Sequence, residues 1–254
     1  MKMTTKQLAA ATALALCFWS ASQANAQVDY SYTLNNSETD LTGGFNVTLD
    51  GSADNNILVG GAMFTASGTP VPGYSSFTTV CLDLRGTLFL GSTYAFTEQG
   101  FSSQTGLNPA WGNGSGAASS GAASAAINNA AALYAAHENV SSATDWAALQ
   151  LAVWKALYDT EANGSVITTG SAQRFTVQTD PTGAAWTEAQ TWLGQLPANP
   201  NYTGYLLYPA NSSAQEVLIG VAAVPEPATL AAGAILLVPF GMSSLRLLRR
   251  RSIA

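Results

Sequence analysis

Thr144-Asp145-Trp146-Ala147-Ala148-Leu149-Gln150-Leu151-Ala152-Val153-Trp154-Lys155-Ala156-Leu157-Tyr158 decides the fold class. Counted from Gln150, Trp146 lies at −4, Val153 at +3, Trp154 at +4 and Leu157 at +7, the spacing of one helical face. Thr144 is an acceptable N-cap, and Asn163-Gly164 supplies the stop. A helix is therefore expected over 144–158. Gln150 is the odd residue on its apolar stripe. It either reaches water at the helix edge, or lies buried and needs partners for its amide, at a cost of roughly 1–3 kcal/mol if unsatisfied.

Outward from this helix, both flanks contain strands. Residues 28–34 and 45–49 alternate apolar with polar, 57–65 and 77–90 are longer β-rich stretches, and Tyr94 to Thr97 closes the set. Gly43-Gly44, Asp50-Gly51, Asp54-Asn55-Asn56 and Pro70-Val71-Pro72-Gly73 punctuate them as turns. Asn113-Gly114-Ser115-Gly116 reads as a flexible joint, and the alanines from Ala117 to His137 favour a further helix. Beyond the central helix, 166–168 and 175–178 read as short strands. Ala184 to Leu196 reads as a helix, and 205–208 and 216–221 as strands again. Helices inserted among short strands predict an α+β domain with mostly antiparallel strands, not a doubly wound parallel sheet. No repeat is visible, and the only linker is the short Ala222 to Val224.

Both ends carry addresses. Lys2 and Lys6 precede an apolar stretch from Leu8 to Trp19, and Ala24-Asn25-Ala26 is a small-x-small cleavage box. Residues 1–26 thus read as a signal peptide, with Gln27 opening the mature chain. At the other end Val224-Pro225-Glu226-Pro227 is followed by an apolar stretch from Ala228 to Met242, then Arg246, Arg249, Arg250 and Arg251. With Arg246 snorkelling, the stretch and its following leucines suffice for a membrane-spanning helix held by the arginines as a stop-transfer cluster. Residues 224–254 resemble the PEP-CTERM sorting signal of exopolysaccharide-producing bacteria. The resemblance implies signal peptidase and an exosortase as processing partners, a transient membrane anchor, and a final place in the cell envelope or outside the cell.

Between these ends, residues 27–223 form one expected domain of about 200 residues, long enough for a real core. From Gln27 to Pro227 three basic side chains (Arg85, Lys155 and Arg174) face all fifteen acids, a net charge of −12. So acidic a surface argues against nucleic acid and anionic lipid as partners. Of the two cysteines, Cys17 leaves with the signal peptide, so Cys81 stands alone in a compartment where thiols are usually paired. It is open to an intermolecular disulfide, a reactive role or burial as a small hydrophobe.

Leu149-Gln150-Leu151-Ala152-Val153-Trp154 resembles the Thr-Gln-x-Ala-(Ile/Val)-Trp motif of bacterial surface thioester domains, with Leu149 in place of the threonine. In those domains an upstream strand cysteine is joined to the glutamine side chain. Here Thr79-Val80-Cys81-Leu82-Asp83-Leu84 holds the corresponding cysteine, and the resemblance spans roughly 77–159. It implies an internal thioester between Cys81 and Gln150, formed by thiolate attack on the carboxamide and shielded from water by Trp146 or Trp154. Such a bond is a stored electrophile for one attachment to an amine- or hydroxyl-bearing partner, not a turnover catalyst. The competing readings are a passive structural or polysaccharide-binding matrix protein, and a secreted hydrolase needing a close carboxylate pair.

Other positions offer less chemistry. His137 reads as support for a helix C-terminus. Asp50, Asp54 and Asn56 read as turn residues, since EF-hand spacing is absent. No Cys/His cluster has zinc spacing, no Gly-x-Ser-x-Gly elbow occurs, and no cofactor is implied.

Overall fold

Asp50 and Gly51 both take positive φ, 52° and 78°, and so make the tight turn that matches the twist of a two-strand ribbon. They join β2 (Leu41–Leu49) to β3 (Ser52–Gly60), with Leu49 opposite Ser52. The computed structural model describes residues 29–35, 41–84, 86–100, 120–198, 200–210 and 214–223. Within these the other elements are β1 (Asp29–Leu34), β4 (Ala62–Ala66), β5 (Ser76–Thr79), β6 (Thr93–Gly100), α1 (Ser120–His137) and α2 (Ala143–Asp159). They continue with β7 (Phe175–Thr179), α3 (Ala185–Leu193), β8 (Tyr202–Pro209) and β9 (Val217–Ala223). The expected signal peptide, the Asn113–Gly116 joint, the first residues of the Ala-rich segment and the whole sorting tail lie outside the described residues. Among the described residues, no helix is long and apolar enough to cross a membrane.

The strands form two antiparallel sheets, β5-β4-β1-β6-β8-β9 and β3-β2-β7, and the α+β expectation holds. Several local expectations do not. The 57–65 stretch is broken at Gly60-Gly61, where the chain leaves the three-stranded sheet and enters the six-stranded one. Glycine is required there because a Cβ on Gly61 would lie 2.7 Å from the Trp146 ring. Gly43-Gly44 and Asp54-Asn55-Asn56 do not end strands. They sit inside β2 and β3, where register shifts at Thr42/Phe45 and Phe45/Val47 absorb the extra residues as bulges. The 77–90 stretch is strand only to Thr79, and 166–168 is reduced to a bridge between Thr160 and Val166. The expected linker at 222–224 is largely strand, since β9 runs to Ala223.

The central helix is capped by Ser142, not Thr144: Ser142 Oγ accepts the Asp145 N–H at 3.0 Å. Every residue from Trp146 to Asp159 is buried, so α2 is enclosed on all sides and not only along its apolar stripe. Its neighbours are α1, α3 and the inner face of the three-stranded sheet.

The six-stranded sheet curls until its two edges approach each other. At the end of β5 Thr79 Oγ1 donates to Leu218 O, and just past it Leu82 N donates to Glu216 O at 2.8 Å and Cys81 pairs with Val217. Inside the curl lies an aromatic core. Tyr32 meets Phe77 edge-on at 5.0 Å, and Phe64 meets Phe96 edge-on at 5.7 Å. Cys81 and Val217 belong to this inner core, whereas Val80, Leu82 and Leu218 face the helical core. The seam between the two edges is therefore where the two cores meet.

Candidate functional site

Cys81 sits on that seam. The last pair between β4 and β5 is Ala62 with Thr79, so beyond it the chain has β9 on one side and no strand on the other. The Gln150 side chain fills that missing place. Cys81 N–H donates to Gln150 Oε1 at 2.7 Å, and Gln150 Nε2 donates to Cys81 O at 2.6 Å. A carboxamide presents one acceptor and one donor in a plane, as a neighbouring strand would, and so satisfies both backbone groups at once. Gln150 is 1 % exposed, which overturns the expectation of a glutamine reaching water from the helix edge. The structure thus brings together the two residues that the sequence singled out, 69 positions apart.

Both residues line a cavity of about 80 Å³. Trp154 lines it too. Its indole is buried, and its Nε1–H has no acceptor among the described residues. Trp146 does not line this cavity. It lies two turns before Trp154, packed on Gly61, and walls a separate open groove with Tyr134 and Glu138. Of the two expected shields, Trp154 stands at the cavity and Trp146 buttresses the sheet switch beside it.

The electrostatics of the seam keep protons on. Burial first, and the Asp83 carboxylate second, push the Cys81 thiol up to about 12. Glu216, the residue before Val217, has its carboxyl pushed up to about 7, by burial and then by Asp83. Its Oε2 has no partner among the described residues. Tyr158, two turns along α2 from Gln150, accepts the Leu84 N–H at 3.0 Å, and a weak 3.4 Å contact joins its hydroxyl to Asp83 Oδ1. The central helix therefore grips the chain at both Cys81 and Leu84. Cys81 is a free, buried cysteine.

The remaining candidates have structural surroundings. His137, in the last turn of α1, stacks on Trp192 with ring centroids 3.8 Å apart, and burial lowers its pKa. Asp50 pairs with Arg174 at 2.7 Å. Asp54 and Asn56 lie in β3, where Asn46 Oδ1 accepts the Asn56 N–H at 2.8 Å. No group of three metal-ligating side chains occurs among the described residues. Sequence reasoning missed the indole donor of Trp154 and the buried Lys155. Lys155 could have been found from its helical spacing to Asp159 within an otherwise apolar run. The Trp154 donor left no sequence signal, because its surroundings are built from distant strands.

A scan against protein-family models finds no match, and a search of curated proteins finds no significant one. Among solved structures, the chain is similar to the N-terminal thioester domain of a surface protein from Clostridium perfringens. The two share 15 % identity with a TM-score of 0.37, over 70 % of this chain and 97 % of that one.

Proposed function

We propose that this chain is an exported surface or extracellular-matrix protein whose domain forms an internal Cys81–Gln150 thioester and uses it for one covalent attachment. The observation that carries this reading is the reciprocal pair of hydrogen bonds between the Cys81 backbone and the buried Gln150 amide. The Cys81 sulfur attacks Gln150 Cδ, and negative charge gathers on Oε1, where the Cys81 N–H already points. The C–N bond then breaks and ammonia leaves. Because burial keeps the thiol protonated to about pH 12, its proton passes to the departing nitrogen as the C–S bond forms. The product is a thioester in the cavity beside Trp154, held until a nucleophile arrives. Attachment happens once per molecule, so the protein is not a turnover enzyme. Delivery to the surface rests on the signal peptide and on the Val224–Pro227 sorting motif, with its processing by an exosortase-type enzyme.

One observation favours a second reading. A thiol held that far above neutrality, in an apolar core, is also what a passive structural or polysaccharide-binding matrix protein would carry as a filler of space. Intact mass of the purified protein separates the two. The thioester reading expects a mass one ammonia below that of the processed sequence, lost in Cys81→Ala and in Gln150→Ala, and replaced by an adduct on Gln150 after methylamine treatment. A full sequence mass, with Cys81 alkylated only after denaturation, would leave the passive reading standing.

A further inference from the structure

Beside Cys81 the two edges of the curled sheet are joined thinly. A single bridge pairs Cys81 with Val217, and Leu82 N donates to Glu216 O at 2.8 Å. On its other side β9 is registered with β8 from Tyr202 and Ala223 to Leu207 and Val217. Glu216 lies one position past that last pair, opposite Tyr208. Side chains alternate along a strand, so with Val217 in the inner core Glu216 turns to the helical side. Two buried oxygens have no partner among the described residues there, Glu216 Oε2 and Tyr208 Oη. The titratable groups acting on Glu216 come from three elements: Asp83 on the Cys81 strand, Tyr158 on α2 and Tyr208 on β8. None of these three carries a positive charge. Such a place suits a neutral carboxyl, and burial and then Asp83 hold its proton to about pH 7. Once ionised, Oε2 is a buried charge with no donor, which is costly until it reaches water. The contact that yields is the weaker one. Glu216 supplies the carbonyl that ties Leu82, and one bridge holds β9 to the Cys81 strand, against a full ladder with β8.

We propose that the Glu216 carboxyl is a latch on the seam: with its proton on, residues 79–84 stay paired with 216–218, and with its proton off the two edges part and open Cys81 to solvent. The proton passes to solvent, and no other bond in the chain is made or broken covalently. The latch stands apart from the thioester reading, since it governs access to Cys81 whatever that sulfur is bonded to.

Hydrogen exchange of the purified protein, read by mass spectrometry on residues 79–84, tests this. Dividing the exchange rate of the unaltered protein by that of Glu216→Gln cancels the pH dependence of exchange itself. The ratio is expected to rise on the order of 50-fold from pH 5 to pH 8, the factor for a carboxyl at 4.5 when open and about 7 when closed. Urea below the unfolding transition should leave the pH 8 exchange unchanged, because parting a seam exposes little surface. A ratio flat with pH would overturn the proposal. So would a rise that steepens with urea, which reports unfolding of the whole chain. If Glu216→Gln does not fold, exchange of the unaltered protein is divided by that of the urea-unfolded chain at each pH. The same bend near pH 7 is then required, and its absence overturns the latch. An ammonia deficit in the intact mass, present or absent, bears on the thioester alone.

Discussion

Glu216 carries a carboxyl into the wall beside the Cys81 strand, where burial and then Asp83 raise its pKa from 4.5 to about 7. The folded chain therefore keeps this proton across the interval from 4.5 to about 7, where the unfolded chain has lost it. Its contribution to stability is complete below 4.5 and disappears as the pH rises through 7. Over that window Glu216 should remove on the order of 2–3 kcal/mol of stability. Glu216→Gln should flatten this part of the profile, with the larger gain at pH 8 and little change at pH 4.5. Urea melts of both proteins at the two pH values would measure it, and parallel profiles would refute the assignment. At the same scale, Gln150 was legible as odd from its place in an apolar stripe. Its partner was legible as the one cysteine outside the expected signal peptide. That the amide engages the cysteine's backbone was not, since this depends on where β4 stops pairing with β5.

The central helix is tied to β7 by a buried charge. Lys155 Nζ donates to Asp159 Oδ2 at 2.6 Å, Gln173 Oε1 at 2.7 Å and the Phe175 carbonyl at 2.9 Å. Asp159 in turn accepts the Arg174 and Phe175 N–H groups at 2.6 and 3.1 Å. All three ammonium hydrogens are satisfied, so the charge is tolerated although burial lowers the lysine pKa. Lys155→Met would leave the Asp159 carboxylate buried without its cation and should cost about 3–5 kcal/mol. Asp50→Asn removes the more exposed Arg174 pair and should cost about 1 kcal/mol or less, because solvent screens it. Equal losses in chemical denaturation would show that burial does not separate these two ion pairs. At the scale of elements, the helix over 144–158 was readable from its period, and the Asp50-Gly51 hairpin from turn chemistry. The break at Gly60-Gly61 was not. A continuous apolar run carries no mark of the point where one strand ends and another begins in a different sheet, and here the Trp146 ring decides it.

At the scale of the whole molecule, the curled sheet, the enclosed helix and the seam between them hold a buried cysteine against a cavity. The proposed sorting tail acts on this body from outside. Replacing Pro225-Glu226-Pro227 with alanines should leave the domain folded, retain the uncleaved chain in the membrane fraction and deplete the extracellular one. Cell fractionation with intact mass of each fraction checks this, and unchanged release of a trimmed chain would refute the sorting role.

By itself the sequence determined what depends on near neighbours. Helix period, hairpin turns and the ordering of strands and helices follow from residues a few positions apart, and the charge balance and the scarcity of cysteine from composition alone. The tertiary structure decided what depends on distant ones. It replaced Thr144 by Ser142 as the cap, shortened the Cys81 strand to a bridge, moved Trp146 away from the cavity and left Trp154 beside it with an unmet donor. The physical reason is that Cys81 meets Gln150 across 69 residues, and Val217 lies farther still along the chain. Which backbone groups lack a partner at the seam is fixed only when both sheet edges close on the central helix.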